Sequence, residues 1–260
     1  MWVGQQLADG LDFWGFLGSL ILGGIILGIY TGLLGYVGAK TGLSLDLLSQ
    51  RAFGEKGSYL PSAMTSFTQI GWFGVGSFVS GGTATPNFAR FAKDGKAGAI
   101  TTVVAFFIGN SLMFFFGAVS SIFVGGNDIF EVMVRLNLFY LAVLVLGLNI
   151  WTTNDNALYT AGLGLANIFH QRKKPMVLLS GIIGTVASVW LYYNFCGWLN
   201  ILNCTLPPVG MILVLAYFMN KKDFETDQPK LKTVDWFAVA GVILGAIVAN
   251  LLHWGIASIN

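Results

Sequence analysis

Gln69 and Trp72 give the first chemical signal in the sequence, because an amide and an indole stand three positions apart in the polar run Thr65–Trp72. On a helix that spacing places both side chains on one face. Gln69 offers a hydrogen-bond donor and an acceptor together, and Trp72 offers a flat ring for stacking. The pair predicts a site for a planar, amide-bearing ligand. An interhelical hydrogen bond beside a core tryptophan is the alternative.

The strongest signal is the stretch Asn149–Asn156, which follows directly on a long apolar run. Its three asparagines, two threonines and one aspartate are costly to place in lipid, so they predict a functional site. Oxygens of Asn149, Thr152 and Thr153 fall on one helical face and suit a small hard cation. Asp155, if it is ionised, needs either a partner or a position at a water-filled opening.

A third stretch, Ser77–Pro86, combines glycines with hydroxyl side chains and is an uncomfortable helix interior. Unwound backbone there would present carbonyls and amides to a ligand, as the broken helices of transporters do. A plain loop outside the membrane is the alternative.

Residues for catalysis are missing from the pattern. The sequence shows no membrane-buried Ser-His-Asp set, paired acids, Cys/His cluster or phosphate-binding glycine loop. Cys196 and Cys204 are too few for a four-ligand metal site. The scattered lysines and arginines also argue against a nucleic-acid partner. We therefore expect no enzyme and no cofactor, and binding and release of a neutral planar solute.

Composition places these side chains in a lipid bilayer. Of the 260 residues, 55% are hydrophobic and 10% are charged, whereas soluble domains are about a quarter charged. Such a chain lacks the polar surface to stay in water, so we predict an all-α, polytopic helical membrane protein with residues 1–260 forming a single transmembrane domain. Tryptophans near span ends, Trp198 and Trp236 among them, predict interfacial anchors.

Helices of about 20 apolar residues cross the hydrocarbon layer. Seven stretches come near this length: Phe13–Gly38, Tyr59–Gly82, Ala97–Val124, Leu138–Phe169, Met176–Phe195, Trp198–Met219 and Trp236–Ile259. Glycines spaced four apart on the first and last of them predict close helix packing. Four basic clusters mark the cytoplasmic side: Lys40/Arg51/Lys56, Arg90/Lys93/Lys96, Arg172/Lys173/Lys174 and Lys221/Lys222/Lys230/Lys232.

Strict alternation of spans fails at one place. If Tyr59–Gly82 crossed the membrane, it would put Arg90 outside, and the second and third basic clusters could not both be cytoplasmic as the first is. We therefore predict that residues 59–90 form a re-entrant or composite hairpin, with its turn in the glycine-rich part of the segment.

Several motifs resemble the nucleobase:cation symporter-1 family, and the resemblance covers nearly the whole chain. They are Ile29–Thr31, Leu34–Tyr36, Gly38–Leu43, Thr68–Gly76, Gly76–Thr83 and Leu148–Tyr159. The resemblance implies a partial inverted-repeat (LeuT-like) transporter fold with broken helices, in which residues 97–259 match the second repeat plus one added helix. It also implies uptake of a nucleobase, with cytosine as the expected base, by sodium symport with alternating access across the bacterial cytoplasmic (inner) membrane.

The resemblance also assigns residues. It implies that Gln69, Ser77, Ser80 and Asn149 or Asn154 contact the base, while Trp72 and Phe78 sandwich its ring. It implies that the hydroxyls of Thr152 and Thr153 and the carbonyl of Asn149 form half of a sodium site, so that Na⁺ is the coupling ion.

Three departures from the family pattern make the chain shorter. By the resemblance, half of the first helix, the fourth and fifth helices and a C-terminal helix have no counterpart, and Gly76 and Ser77 join the matched third and sixth helices. A second chain could then cover Asn149–Asn156, which makes an oligomer possible. A truncated nucleobase-binding membrane protein without transport activity is the alternative function.

Overall fold

The computed structural model describes residues 12–75, 81–125, 129–227 and 229–257. Within these ranges the regular elements are all helices, as the composition predicts. In chain order they are α1 Phe13–Thr41, α2 Leu45–Phe53, α3 Tyr59–Val75, α4 Gly81–Ala84, α5 Pro86–Ala89, α6 Gly95–Val124, α7 Ile129–Arg135, α8 Phe139–Phe169, α9 Lys173–Tyr193, α10 Phe195–Met219, α11 Lys221–Glu225 and α12 Trp236–Ala257.

Four described helices are long and apolar enough to cross a membrane: Phe13–Thr41, Gly95–Val124, Lys173–Leu191 and Gly197–Met219. A shorter apolar helix covers Trp236–Leu252. Helices are the expected form because lipid offers no partner to backbone N–H and C=O groups, which must pair within their own segment. The chain is a multi-pass helical membrane protein.

The chain divides into two compact units, and the first contains residues 12–32 and 100–152. In this unit α1 lies close to α6. A Cβ added to Gly24 would lie 3.0 Å from the ring of Phe107, and one on Gly28 would lie 3.7 Å from Val103. The predicted glycine packing is confirmed at Gly24, where an added Cβ would be tight against Phe107, whereas at Gly28 it would make an ordinary contact.

The second unit contains residues 33–99 and 153–257. Here α12 packs on α10 through glycine, because a Cβ on Gly245 would lie 3.0 Å from the ring of Pro208. The prediction that Trp198 anchors at the interface is wrong: its side chain is 3% exposed and packs on Gly71 of α3. A bare glycine surface on α3 accepts the indole, which buries more apolar area than an interfacial position would. Trp236, in contrast, is exposed at the start of α12.

Residues from the four basic clusters come together at one end of the second unit. Arg51 donates to the backbone carbonyls of Asp223 (2.9 Å) and Phe224 (2.6 Å), beside the fourth cluster. Arg90 donates to the hydroxyl of Tyr159, and the Nζ of Lys173 lies 3.4 Å from the centroid of the same ring. This end is called the basic face below. The positive-inside rule predicts that this is the cytoplasmic face.

The segment 59–90 begins and ends at the basic face. Tyr59, at the start of α3, packs edge-on against His170, which precedes the third cluster. Arg90, at the other end, reaches Tyr159. The turn is predicted within Gly71–Gly82. Residues 71–75 continue α3 and residues 81–82 begin α4, so both ends of that range are helical. Residues 76–80 lie outside the described residues, and the hairpin stays a prediction.

Candidate substrate and cation site

Ser62, Ser66 and Gln69 form a polar stripe on α3. They stand at positions i, i+4 and i+7, which share one face of a helix, and all three are buried. Neighbouring hydroxyls are satisfied within the helix: Thr65 donates to the carbonyl of Pro61 (2.8 Å) and Thr68 to that of Met64 (2.6 Å). Such back-bonding allows an apolar helix to carry several hydroxyl groups at low cost.

A stripe of small residues on α8 faces this polar stripe. The hydroxyl of Ser66 donates to the carbonyl oxygen of Ala161 (3.2 Å). A Cβ on Gly164 would overlap that hydroxyl and lie 2.9 Å from the carbonyl oxygen of Ser62. These contacts set an antiparallel register in which numbers rise along α3 and fall along α8. Small residues are required because the two backbones approach closely.

The register places Gln69 on α3 and Asn154 on α8 at neighbouring heights along the two helix axes. Gln69 lies opposite residue 158, and Asn154 is four residues further along α8, or about 6 Å along the helix axis. Gln69 is 7% exposed. Asn154 is half-buried, and its Oδ1 is buried with no hydrogen-bond partner among the described residues. A buried carbonyl oxygen without a donor is costly, so this atom is suited to receive a ligand's N–H group.

The proposed cation residues lie in an unbroken part of α8. The hydroxyl of Thr152 donates to the carbonyl oxygens of Leu148 and Asn149, both at 3.1 Å. Its hydrogen is therefore committed to the helix, while the oxygen keeps lone pairs for a cation. Asn149 and Thr152 are exposed and Thr153 is half-buried. No cluster of three or more His, Cys, Asp or Glu residues exists in the described part of the chain.

The remaining predicted contacts are not described. Ser77, Phe78 and Ser80 lie outside the described residues, as does the peptide between Gly76 and Ser77. Trp72 belongs to α3, one turn beyond Gln69, but its side chain is outside the described part. These assignments stay predictions from the resemblance.

One polar cluster was missed by the sequence reasoning. Asp46 of α2 is 5% exposed and accepts a hydrogen bond of 2.6 Å from the Ser62 hydroxyl. Ser62 in turn accepts from Asn167 of α8 (2.9 Å). The available signal was an acid flanked by leucines in Leu45–Leu48, which places a carboxyl on an otherwise apolar turn.

Comparison with known proteins assigns the family. The family model described as "Permease for cytosine/purines, uracil, thiamine, allantoin" matches residues 1–84 and 74–258. The cytosine permease of Escherichia coli strain K12 is 36% identical over 353 residues, covering 100% of this chain and 84% of that protein. The cytosine permease of Escherichia coli O157:H7 gives the same values. The allantoin permease of Bacillus subtilis strain 168 is 34% identical over 82 residues, covering 32% of this chain and 16% of that protein.

The same comparison supports an internal deletion. The match to the cytosine permease spans 353 positions for the 260 residues of this chain, so 93 positions have no counterpart here. The two family matches overlap at residues 74–84, which include the predicted junction of Gly76 and Ser77. A permease moves its substrate without changing it, so the protein is a membrane transporter and not an enzyme. The chain belongs to the family of permeases for cytosine/purines, uracil, thiamine and allantoin.

Proposed function

We propose that this chain is a secondary transporter that takes up a nucleobase, with cytosine as the first candidate, across the bacterial cytoplasmic membrane by sodium symport with alternating access. The observation that carries the proposal is the placement of two amides on facing stripes of α3 and α8. Gln69 of α3 and Asn154 of α8 lie at neighbouring levels, and the Oδ1 of Asn154 is buried without a partner in the described residues.

Two amides suit the edge of a nucleobase. Cytosine presents an exocyclic amino donor beside ring and carbonyl acceptors. The Asn154 oxygen can accept from the amino group, while Gln69 can both donate and accept. When an analogue lacks the matching groups, the buried polar groups of such a site are left without hydrogen-bond partners. The site therefore discriminates strongly against that analogue. Stacking by Trp72 and Phe78 would add affinity through the ring faces.

Sodium is proposed from the hydroxyl pair on α8. Thr152 and Thr153 offer oxygens of the kind that hard cations prefer, together with the carbonyl of Asn149. Because Asn154 follows directly in the same helix, a cation that fixes this turn would also fix a base contact. Each ligand would then increase the affinity of the other by the same factor.

Uptake into proteoliposomes tests the proposal. We expect radiolabelled cytosine to accumulate with an inward sodium gradient and to do so poorly when choline replaces sodium. Gln69→Ala and Asn154→Ala should each reduce the apparent affinity by about 10-fold or more, because a buried hydrogen-bonding group loses its partner at about 1–3 kcal/mol. Asn200→Ala is the matched control, since that amide is exposed on α10. Uptake that is indifferent to sodium and to both site variants would refute the assignment.

A second candidate is a nucleobase-binding membrane protein that does not transport. It is favoured by polar residues that α8 leaves exposed in the described structure, among them Asn149, Thr152 and Asn156, and by the 93 positions that the chain lacks relative to the cytosine permease. Binding of cytosine in detergent with no uptake in vesicles would identify this function. If a second chain covers the exposed face, the purified protein should behave as an oligomer in a sedimentation experiment.

A further inference from the structure

A carboxyl group is enclosed at the basic face, away from the predicted base contacts. Asp46 stands in the first turn of α2, whose N-terminus is capped by Ser44 through a bond to the amide of Leu47 (3.4 Å). Leu45 and Leu48 beside it are 1% and 0% exposed. Among the described residues, Asp46 is the only aspartate or glutamate that is buried. An acid in such a place needs either a partner or a proton.

A directed chain of hydrogen bonds ends on this carboxyl. Gln50 of α2 donates to the Asn167 oxygen (2.6 Å), and Asn167 of α8 donates to the hydroxyl oxygens of Ser62 (2.9 Å) and Ser58 (3.0 Å). Ser62 of α3 donates to Oδ1 of Asp46 (2.6 Å). Ser58 is a side branch, because its hydroxyl donates to the carbonyl of Glu55 (2.7 Å). Along the path from Gln50 through Asn167 and Ser62, every donor points toward the carboxyl, which is the arrangement that stabilises a negative charge. The chain joins α2, α3 and α8.

The positive charge of Arg90 favours the ionised form of Asp46, although the two side chains form no ion pair. The pair is not among the ion pairs within 4.0 Å in the described residues. The guanidinium of Arg90 donates instead to the hydroxyl of Tyr159. The ammonium group of Lys173 lies over the ring of the same tyrosine. The Nε of Arg90 is buried without a hydrogen-bond partner in the described part of the chain. A negative charge on Asp46 therefore has attraction but no direct neutralising contact.

Other ionisable groups near α2 are bonded to other partners. Arg51 of the same helix binds backbone carbonyls at α11. Tyr217 of α10 donates to Glu225 of α11 (2.8 Å), and Asp235, before α12, pairs with Lys232 (2.8 Å). Burial consequently outweighs the stabilising contacts and raises the pKa of Asp46 to about 6. The ordinary value for aspartate is 3.8.

We propose that Asp46 is a proton-binding site on the cytoplasmic face, linked through Ser62 and Asn167 to α8. The proton comes from cytoplasmic water and goes to a carboxylate oxygen. With the charge removed, the Ser62 hydroxyl donates to a neutral carboxyl instead of to a carboxylate. Charge-assisted hydrogen bonds are about twice as strong as neutral ones. The connection among α2, α3 and α8 therefore changes strength with cytoplasmic pH.

This site goes beyond the proposed function, because it requires neither a base nor sodium. Infrared spectroscopy of the full chain in detergent, titrated with acid and base, tests it directly. We expect a protonated-carboxyl band that titrates near pH 6, disappears in Asp46→Asn and persists in Asp94→Asn. Asp94 is an exposed acid that caps α6 through the amide of Ala97 (2.8 Å), so it provides the same chemical change without burial.

Ser62→Ala tests the link. Removing the donor to the charged carboxylate should shift the midpoint of the same band upward, since that hydrogen bond favours the ionised form. A band that survives Asp46→Asn overturns the proton site. A midpoint that Ser62→Ala leaves in place overturns the connection to α8. Where Asp46→Asn fails to fold, the wild-type titration and the Ser62→Ala shift still decide: a midpoint near 4, or no shift, contradicts the proposal.

Discussion

Replacing Gly164 by alanine tests the close approach of α8 to α3, on which the register of the candidate site depends. The added Cβ would overlap the Ser66 hydroxyl and lie 2.9 Å from the carbonyl oxygen of Ser62. That carbonyl belongs to the backbone of α3 and cannot rotate away. The Ser66 hydroxyl can rotate, but it then loses its hydrogen bond to the carbonyl of Ala161 (3.2 Å). One of the helices must therefore shift.

The expected cost follows from three contributions. Overpacking costs about 1–3 kcal/mol, and losing the buried Ser66 hydrogen bond costs about 1 kcal/mol more. Alanine gains about 0.5–1 kcal/mol over glycine in a helix interior. Gly164→Ala should therefore destabilise the protein by about 2 kcal/mol. The measurement is thermal unfolding of the detergent-solubilised protein, followed by the loss of helical circular dichroism.

Gly181→Ala is the matched control on α9. Its Cβ would meet Leu158 at 3.6 Å, an ordinary contact, so this variant should be unchanged or more stable by about 0.5–1 kcal/mol. Adding Ser66→Ala to Gly164→Ala removes the overlapping oxygen and should recover part of the loss. Unfolding of Gly164→Ala at the wild-type temperature, or no recovery in the double variant, would contradict the packing of these two helices.

Two further predictions concern the basic face. Because burial raises the pKa of Asp46 to about 6, the folded chain holds that proton more tightly than the unfolded chain. The contribution of this proton to the free energy of unfolding is fully present below pH about 4 and is lost as the pH rises through about 6. Asp46→Asn should remove this dependence of the free energy of unfolding on pH, which amounts to about 3 kcal/mol for a pKa raised from 3.8 to about 6. An equal dependence in both proteins would exclude Asp46 as its source. Gly54 adopts φ 84° and ψ 170°, a region open essentially to glycine alone, and a Cβ there would lie 2.5 Å from the Lys232 carbonyl oxygen. Gly54→Ala should therefore lower the unfolding temperature more than Gly42→Ala, which has φ 68° but open space around it; equal losses would show that the Lys232 contact is unimportant.

The sequence alone determined the class of the protein and much of its local packing. Lipid disfavours charged side chains and offers no hydrogen-bond partners, so each segment must make its backbone hydrogen bonds internally. Composition and apolar length therefore predict membrane helices without knowledge of their neighbours. Glycine spacing predicts close packing from local information too. Small residues that recur on one face of a helix can be recognised within a single segment of sequence. Gly24 on α1 and Gly245 on α12 confirm it.

Side chains whose role depends on remote contacts were not predictable in this way. Trp198 resembles an interfacial anchor by its position, yet it is buried because Gly71, far away in the chain, offers it a flat surface. Asn154 was selected by its neighbours in sequence, but the burial of its oxygen follows from the register of α3 against α8. The predicted contacts at Ser77, Phe78 and Ser80 lie outside the described residues and stay predictions.

Asp46 shows the limit most clearly. In the sequence it lies in a short segment between basic residues, where an exposed carboxylate would be ordinary. Its enclosure requires Ser62, 16 residues away, and the Gln50–Asn167 bond that spans 117 residues. Hydropathy is a property that each segment carries by itself, and so the sequence determined the membrane fold class. The protonation of a buried acid depends on which distant groups enclose it, and only the tertiary structure decided that.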